Sequence, residues 1–235
     1  MNLSDSREDY RRHDSLDRAQ LDANPFAQFE SWFQQAAGGK SQSRWRKIGI
    51  ALFKLWSAIC NHRPADVNAM TLATVDKNGK PSSRTVLLKS VDERGFVFFT
   101  NYDSRKGREL AENPHAALTF FWPELERQVC VAGVVTKLPA AESETYFASR
   151  PRGSQIGAWA SNQSEIVPDR ATLEKKWREL EQKFPDAVPL PPNWGGFVLA
   201  PERIEFWQGR PSRLHDRFNY SRQADGAWKI ERLSP

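Results

Sequence analysis

The sequence predicts a mainly β fold with a few added helices, and two observations support that prediction. From Met70 onward, short runs of strand-forming residues are separated by turn residues. Helical segments occur between these runs, but strand and helix do not alternate regularly as they do in a doubly wound parallel sheet. An antiparallel barrel with added helices is therefore favoured, and 235 residues suffice for one domain and an arm.

The first third of the chain is predicted to hold an arm, a helix and an insertion. Residues 1–24 are polar and predict an arm that is mobile unless it docks on another surface. Pro25 to Gln35 places four aromatic side chains at helical spacing behind a proline that suits a first turn, which predicts a short helix. From Gly38 to Val67, apolar residues recur on one face and lysines on another, so residues 25–67 comprise this helix and a basic amphipathic insertion at about 38–61.

The predicted barrel domain covers residues 68–235. Strand patterns cover Met70–Val75, Ser82–Val91, Phe96–Thr100, Ala116–Trp122, Gln128–Lys137, Trp194–Leu199, Arg203–Gln208 and Trp228–Leu233. The turn Asp76-Lys77-Asn78-Gly79 between the first two is typical of a hairpin. Helical patterns cover Arg105–Glu112, Ala140–Arg150 and Asp169–Phe184.

The charge of the chain narrows the class of ligand. Lys and Arg number 34 against 29 Asp and Glu, which gives a net charge of +5 and a pI of about 9.3. A basic pI suits either a nucleic acid or phosphorylated small molecules. The Lys and Arg residues are dispersed among acidic ones, which disfavours the nucleic acid.

Metal sites, disulfides and export are not indicated. The two cysteines, Cys60 and Cys130, form no close pair, and the four histidines show no metal-binding spacing. The N-terminal segment lacks the apolar stretch of a signal peptide, and the longest apolar run, Ile48 to Cys60, is too short to span a bilayer. A cytoplasmic protein without a metal is therefore expected.

One cationic segment begins a predicted helix. Arg105 and Lys106 follow Asp103 or Ser104 as the capping residue, and two cations in a first turn are unfavourable unless an anion binds there. Backbone N–H groups at the helix start, an Arg and a Lys together suit a phosphate monoester. A solvated helix end with incidental charge is an equally weighted alternative.

A second phosphate pocket is indicated further along the chain. Tyr146 and Arg150 lie four residues apart on one helix face, and Ser154 follows in a predicted Pro/Gly turn. Two such pockets in one basic domain indicate a phosphorylated cofactor and a phosphorylated substrate.

Two further segments carry cations in strand-like sequence. Strict alternation puts Arg84 and Lys89 on opposite faces of a strand. Both can bind one ligand only if a strand end or a bulge lies between them; otherwise they serve two ligands or two subunits. A strand whose ends carry snorkelling cations is the alternative. If the second segment is extended, Arg213, His215 and Arg217 share one face, which suits a heteroaromatic ring. Structural ion pairs are the alternative there.

Eight stretches, in order over nearly all of residues 68–235, resemble the pyridoxine/pyridoxamine 5′-phosphate oxidase family. They are RTVLLK (Arg84–Lys89), SRKGREL (Ser104–Leu110), ERQVCVAG (Glu126–Gly133), YFASRPRGSQIGAWASNQS (Tyr146–Ser164), WGGF (Trp194–Phe197), IEFWQG (Ile204–Gly209), RLHDR (Arg213–Arg217) and WKIERLSP (Trp228–Pro235).

The resemblance implies a split β-barrel of antiparallel Greek-key type, which forms a homodimer with FMN at the subunit interface. It implies that Arg105 and Lys106 hold the FMN phosphate. The other implied FMN contacts, some of them from the partner subunit, are Arg84, Thr85, Val86, Leu87, Leu88, Lys89, Phe99, Thr100, Gln128, Gln163, Ser164, Trp207 and Arg217.

The resemblance also implies the reaction. In the family, FMN oxidises pyridoxine 5′-phosphate and pyridoxamine 5′-phosphate to pyridoxal 5′-phosphate, with O2 as acceptor; H2O2 is released, and the amine also yields NH3. The implied substrate contacts are Lys89, Tyr146, Arg150 and Ser154 at the phosphate, and Arg213, Leu214 and His215 at the ring, with Arg213 and His215 as the catalytic residues. The segment Arg7-Glu8-Asp9-Tyr10 resembles the R-x-x-Y arm that closes over the substrate.

The insertion at about 38–61 departs from the family pattern. A surface excursion is the favoured explanation, because loop insertions are tolerated thermodynamically; a membrane-surface or partner-binding helix is the less favoured one. Three other functions stay open: a split-barrel flavin oxidoreductase with a different substrate, a non-catalytic carrier of flavin or pyridoxal phosphate, and a nucleic-acid binder, which the dispersed charge disfavours.

Overall fold

The computed structural model describes Tyr10 and residues 15–38 and 66–235. The predicted helix over Gly38 to Val67, and with it almost all of the insertion, lies outside these residues, as do Arg7, Glu8 and Asp9. The chain divides into two compact units. The first comprises Met1–Met70, Thr119–Cys130 and Ile204–Pro235, and the second comprises Thr71–Leu118 and Val131–Arg203.

Strands dominate the described chain. They are β1 Ala69–Val75, β2 Pro81–Leu87, β3 Ser90–Asp92, β4 Gly95–Asn101, β5 His115–Trp122, β6 Arg127–Lys137, β7 Trp194–Gln208, β8 Asp216–Arg222 and β9 Trp228–Leu233. The α-helices are α1 Pro25–Ala36, α2 Arg105–Glu112, α3 Ala140–Ser149, α4 Arg152–Ala160 and α5 Arg170–Lys183. Short 3-10 helices cover Arg18–Gln20, Pro123–Leu125 and Pro211–Arg213.

The strands form one sheet in the order β2-β1-β5-β6-β7-β4-β3, with β8 paired to β7 and to β9. The pairs β3–β4, β4–β7 and β8–β9 are antiparallel. In the β4–β7 register, Phe99 lies opposite Gly196 and Asn101 opposite Trp194. This pairing brings the end of β4, where α2 follows, beside the start of β7.

Two predicted strand boundaries are wrong. The predicted strand Ser82–Val91 is divided into β2 and β3, because the chain leaves the ladder at Leu88 and the Lys89 N–H instead donates to the Val97 carbonyl (2.9 Å). The predicted strands Trp194–Leu199 and Arg203–Gln208 form the single strand β7. Pro201 between them does not interrupt it, because the fixed φ of proline is compatible with extended backbone.

Helix α4 was not predicted, and the interpretation of Ser154 as a turn residue is wrong. Pro151 is the N-cap of α4, with extended backbone (ψ 137°), and Ser154 lies in the first turn of the helix. The proline and Gly153 together resemble a turn in sequence, whereas proline is equally suited to a helix start.

The segment Arg213 to Arg217 is not extended throughout, so the condition for placing its cations on one face is not met. Ser212 and Arg213 have left-handed backbone, with φ of 57° and 60°, and β8 begins only at Asp216. The chain therefore changes direction at Arg213, and the two-residue alternation that would put Arg213, His215 and Arg217 on one strand face is lost.

The core of the second unit packs helices α3 and α4 against β7. Phe147, Ile156 and Trp194 are buried together, with Val188 completing the cluster. Gly107 allows α2 to begin close to β4: a Cβ at this position would lie 2.1 Å from the Tyr102 carbonyl oxygen. The start of α2 is thus fixed beside the end of β4.

In the first unit, α1 and the residues before it pack on strand residues of the same unit. Phe29 meets Phe120 with ring centroids 5.0 Å apart, and Trp32 meets Phe206 at 5.2 Å. The Tyr220 hydroxyl donates to the Asp22 carbonyl (2.7 Å). Residues 15–24, which belong to the predicted arm, are therefore docked.

Candidate functional site

A cavity of about 890 Å³ lies within the second unit and gathers most of the sequence-predicted site residues. Its volume is in the range of small-molecule and cofactor sites. The predicted residues that line it are Arg84, Thr85, Val86, Leu87, Lys89, Phe99, Thr100, Arg105, Lys106, Tyr146, Arg150, Ser154, Gln163 and Ser164. Leu88, which follows the end of β2, is buried and does not line the cavity.

Arg84 and Lys89 reach the same cavity because β2 ends between them. Residues of a continuous strand would alternate from face to face. β2 stops at Leu87, and Lys89 follows this end before β3 begins. The sequence left open a strand end, a bulge, two ligands or two subunits, and the structure has a strand end between Arg84 and Lys89.

One group of cations, here called the helix set, consists of Arg84, Arg105 and Lys106. Ser104 is the N-cap of α2: its hydroxyl accepts from the Gly107 N–H and donates to the Asn101 carbonyl (2.6 Å). This cap leaves Arg105 and Lys106 in the first turn, where the helix dipole disfavours positive charge. An anion bound there would offset that cost.

Lys106 is a buried amine whose bonds go to neutral oxygens. Its Nζ donates to Gln163 Oε1 (2.8 Å), Thr100 Oγ1 (3.1 Å) and Ser104 Oγ (3.3 Å). Burial, together with the nearby Arg84 charge, lowers the pKa of Lys106 to about 8. A bound anion would favour the protonated amine.

Arg84 lines the cavity and belongs to a hydrogen-bonded network that continues behind the cavity wall. Its guanidinium donates to Thr74 Oγ1 and Ser82 Oγ (both 2.5 Å) and to Glu109 Oε2 (3.2 Å). Burial alone would raise the pKa of Glu109, but hydrogen bonds from Ser82, Thr74, Arg105 and Arg84 hold it at about 2. Glu109 is therefore ionised.

The second group, here called the aromatic set, consists of Lys89, Tyr146, Arg150 and Ser154. The Tyr146 ring stacks on Phe99 with centroids 3.9 Å apart, and Phe99 stacks on Trp194 at 5.5 Å. Lys89 Nζ lies 5.9 Å from the centre of the Tyr146 ring. Stacked rings thus support the cations of this set.

Arg150 has an unsatisfied donor. Its guanidinium carbon lies 4.6 Å from the centre of a Trp194 ring, and burial lowers the pKa of the group. Its Nη1 is buried and has no hydrogen-bond partner in the described part of the chain. An acceptor on a ligand would satisfy it.

The remaining predicted residues belong to the first unit. Tyr10, Trp207 and His215 form an aromatic cluster: Tyr10 meets each of the other two with centroids 5.4 Å apart, and Trp207 meets His215 at 4.7 Å. The Arg210 N–H donates to His215 Nδ1 (3.1 Å).

Near this cluster in sequence, Arg217 is held by an ion pair. Its Nε donates to Glu205 Oε1 (2.8 Å) and its Nη1 to the Ser234 carbonyl (2.9 Å). Leu214 is largely exposed, and Gln128 lies half-buried on β6.

Sequence reasoning missed several residues of the site. Glu109, Thr74 and Ser82 surround Arg84, and Trp194 supports the aromatic set. The spacing of Arg105 and Glu109, four residues apart on a helix, was the available signal for an ion pair. Thr74 and Ser82 carry no local signal, because their role depends on how α2 packs against β1 and β2.

Among the described residues, no group of three or more His, Cys, Asp or Glu side chains could hold a metal ion. No helix in the same part of the chain is long and apolar enough to cross a membrane.

Comparison with protein families gives two matches. The profile described as pyridoxamine 5′-phosphate oxidase matches residues 61–184, and that of the pyridoxine 5′-phosphate oxidase C-terminal dimerisation region matches residues 194–235. A Ralstonia nicotianae protein named pyridoxine/pyridoxamine 5′-phosphate oxidase 1 is 56% identical over 233 residues, 99% of each chain. A Paraburkholderia phytofirmans protein named pyridoxine/pyridoxamine 5′-phosphate oxidase is 55% identical over 94% of this chain and 93% of its own.

Two solved structures support the fold. PhzG from Burkholderia lata, in complex with tetrahydrophenazine-1-carboxylic acid, is 34% identical with a TM-score of 0.69, over 80% of this chain and 92% of its own. A pyridoxamine 5′-phosphate oxidase-related, FMN-binding protein from Nostoc punctiforme has a TM-score of 0.61 at 21% identity, over 83% of this chain and 100% of its own. The predicted fold class, a mainly antiparallel split barrel with added helices, is confirmed.

The family profile covers more than half of the chain, and relatives more than 50% identical span nearly all of it. The chain therefore belongs to the pyridoxamine 5′-phosphate oxidase family of oxidoreductases.

Proposed function

We propose that this protein is an FMN-dependent oxidase that converts pyridoxine 5′-phosphate and pyridoxamine 5′-phosphate to pyridoxal 5′-phosphate, a step of vitamin B6 biosynthesis and salvage. O2 is the electron acceptor and H2O2 is released; the amine substrate also consumes water and yields NH3. The observation that supports this most directly is one cavity whose wall carries both the helix set and the aromatic set. A phosphorylated cofactor and a phosphorylated substrate suit two such sets.

The helix set fits the phosphate of FMN. Lys106 is buried without a carboxylate partner among the described residues, and Arg105 begins a helix where an anion is favoured. The other proposed contacts in this unit are Arg84, Thr85, Val86, Leu87, Leu88, Lys89, Phe99, Thr100, Gln163 and Ser164. When bound, FMN supplies the hydride acceptor for C4′ of the substrate and transfers the electrons to O2.

The aromatic set fits the substrate phosphate. The buried Arg150 Nη1 would gain an acceptor, and the Tyr146 and Ser154 hydroxyls and the Lys89 amine would add donors. Binding the phosphate would orient the pyridine ring, so that the energy of this remote contact positions the reacting atoms.

Residues of the first unit complete the proposal. Arg213 and His215 are proposed as the catalytic residues at the pyridine ring, with Leu214 between them, and Gln128, Trp207 and Arg217 as further FMN contacts. Arg7, Glu8, Asp9 and Tyr10 are proposed to close over the substrate. The edge-on contacts of Tyr10 with His215 and Trp207 support a place for Tyr10 beside this loop.

A cytoplasmic homodimer with FMN at the subunit interface is the proposed assembly. The match of residues 194–235 to a dimerisation region supports it. Residues of both subunits would then contribute to each site.

The visible spectrum of the purified protein tests the proposal. We expect a yellow protein whose flavin absorbance at roughly 450 nm is lost on anaerobic addition of pyridoxine 5′-phosphate and returns with O2, because the flavin is reduced by hydride and reoxidised by O2. A protein that cannot be reconstituted with FMN would contradict the cofactor. A yellow protein that does not bleach would contradict pyridoxine 5′-phosphate as the substrate.

The similarity to PhzG favours one second candidate, a flavin oxidoreductase for an unphosphorylated heteroaromatic acid. The same anaerobic titration with a dihydro-aromatic carboxylic acid separates the two. Bleaching by the phosphorylated pyridine alone supports the first function, and bleaching by the unphosphorylated acid alone supports the second.

A further inference from the structure

Glu109 is a buried carboxylate that lies behind the cavity wall. It lies in α2, is 5% exposed and does not line the cavity. Its Oε2 accepts from Thr74 Oγ1 (2.5 Å), Ser82 Oγ (2.6 Å) and Arg84 Nη2 (3.2 Å). Its Oε1 accepts from Arg105 Nε (2.8 Å). One carboxylate therefore joins β1, β2 and α2.

The two arginines bound by Glu109 both line the cavity. Arg84 is bound through Nη2, and Arg105 through Nε. No other residue in the described part of the chain takes a hydrogen bond from Arg105, so its two Nη groups are left for a ligand. Without Glu109, the exposed Arg105 side chain would have many rotamers available to it.

The charges around this point match a phosphate dianion. The helix set carries three positive charges and Glu109 one negative charge, which leaves a net charge of +2 at the cavity wall. A phosphate monoester carries a charge close to −2 at neutral pH. A carboxylate itself repels phosphate, so a direct contact between Glu109 and the ligand is unfavourable.

We propose that Glu109 is a positioning residue for the phosphate of the cofactor: it holds the guanidinium groups of Arg84 and Arg105 in place without contacting the ligand. The proposal rests on the proposed function, because it assumes that FMN binds at the helix set. It predicts that Glu109 governs the preference for FMN over riboflavin, which is the same flavin without the phosphate.

The test compares the dissociation constants of FMN and riboflavin, measured by quenching of flavin fluorescence with the apoprotein. For Glu109→Gln, we expect FMN binding to weaken by about tenfold and riboflavin binding to stay within about twofold. Charge alone acts in the opposite direction, because removing a carboxylate near a phosphate should tighten FMN binding. Equal or tighter FMN binding therefore overturns the proposal, and so does an equal loss for both flavins, which indicates a merely structural role.

Glu112→Gln is the matched control, because it makes the same change on an exposed position of α2. We expect it to leave both constants unchanged. Glu109→Asp provides a second variant if Glu109→Gln does not fold. It keeps the charge and shortens the side chain, so we expect FMN binding to weaken about threefold or more with riboflavin unaffected; FMN binding like that of the unaltered protein overturns the proposal.

The unaltered protein separates this proposal from the proposed function. If it binds FMN and riboflavin equally, FMN phosphate is not bound at the helix set and both proposals fall. If it prefers FMN and the Glu109→Gln variant keeps that preference, only the role of Glu109 is contradicted.

Discussion

The helix set and the aromatic set line one cavity, yet they are held in different ways. In the helix set, Arg84 and Arg105 bind a carboxylate and Lys106 binds three neutral oxygens. In the aromatic set, Arg150 lies on the Trp194 ring and keeps a buried Nη1 without a partner in the described chain. Hydrogen bonds fix the first set before any ligand arrives, whereas the second set depends on a ligand to satisfy it.

This difference indicates which ligand each set suits. A prearranged site loses little freedom on binding and retains its ligand tightly, as a resident cofactor requires. A site with an unsatisfied donor gains most when its ligand is present, which suits a substrate that enters and leaves. Variants in the two sets should therefore affect different measured quantities.

The largest effect is expected in the aromatic set. Arg150→Leu removes a guanidinium that would make charge-assisted bonds to the substrate phosphate, so we expect kcat/KM for pyridoxamine 5′-phosphate to fall by about 100-fold or more. FMN content should stay unchanged. Steady-state kinetics give kcat/KM, and the flavin-to-protein ratio gives the FMN content. The control is Arg178→Leu, which removes an exposed arginine of α5.

A fall in FMN content with unchanged kcat/KM of the remaining holoenzyme would contradict this assignment. Arg150 would then belong with the cofactor.

The next effect is expected in the helix set. Arg105→Ala removes a cation that is more than half exposed, so we expect FMN affinity to fall by about tenfold, with a smaller change in KM for the substrate. Fluorescence titration of the apoprotein gives the constant. Arg108 lies on the same helix but does not line the cavity, so Arg108→Ala should leave the dissociation constant of FMN unchanged. Equal losses of affinity for both variants would contradict a specific role for Arg105.

Lys106 should make FMN binding depend on pH. The pKa of Lys106 is about 8, because burial disfavours its charge, and a bound phosphate dianion would raise it. FMN binding should thus be accompanied by proton uptake, and its affinity should fall as the pH rises through 8. Between pH 7 and 9 we expect a loss of about five- to tenfold, from the fraction of lysine that is deprotonated.

Lys106→Met should bind FMN more weakly and remove this pH dependence. Riboflavin binding should be unaffected by pH in the same range. A constant FMN affinity from pH 7 to 9 in the unaltered protein would contradict the assignment of Lys106 to the phosphate.

How well the sequence predicts each set depends on how far apart along the chain its contacting residues lie. The pair Arg105 and Lys106 could be recognised because a helix start is a local feature, and α2 was predicted with its observed bounds. The network behind them could not, because Glu109 meets Thr74 and Ser82 from 35 and 27 residues away. The packing of α2 against β1 and β2 brings Glu109 to these two residues, and no local pattern in the sequence indicates that packing.

At two places near the proposed substrate residues, the structure differs from the sequence pattern for a local reason. Pro151 and Gly153 resemble a turn, yet Pro151 caps α4 and Ser154 lies in its first turn. Arg213 has a φ of 60°, which is unusual for a residue with a side chain and leaves no signal in sequence. The proposed ring contacts Arg213 and His215 therefore lie in a bend, whose geometry the alternation of strand residues cannot describe.

The smallest effect on ligand binding is expected at Ser104, which shapes the helix set without carrying charge. Ser104→Ala removes the N-cap of α2 and its bond to the Asn101 carbonyl, so we expect the free energy of unfolding to fall by about 1–2 kcal/mol. Lys106 keeps its bonds to Thr100 and Gln163, so FMN affinity should change by less than about threefold. Denaturant unfolding of the apoprotein and FMN titration measure the two effects. A large loss of FMN affinity without a loss of stability would mean that the Ser104 hydroxyl itself contacts the phosphate.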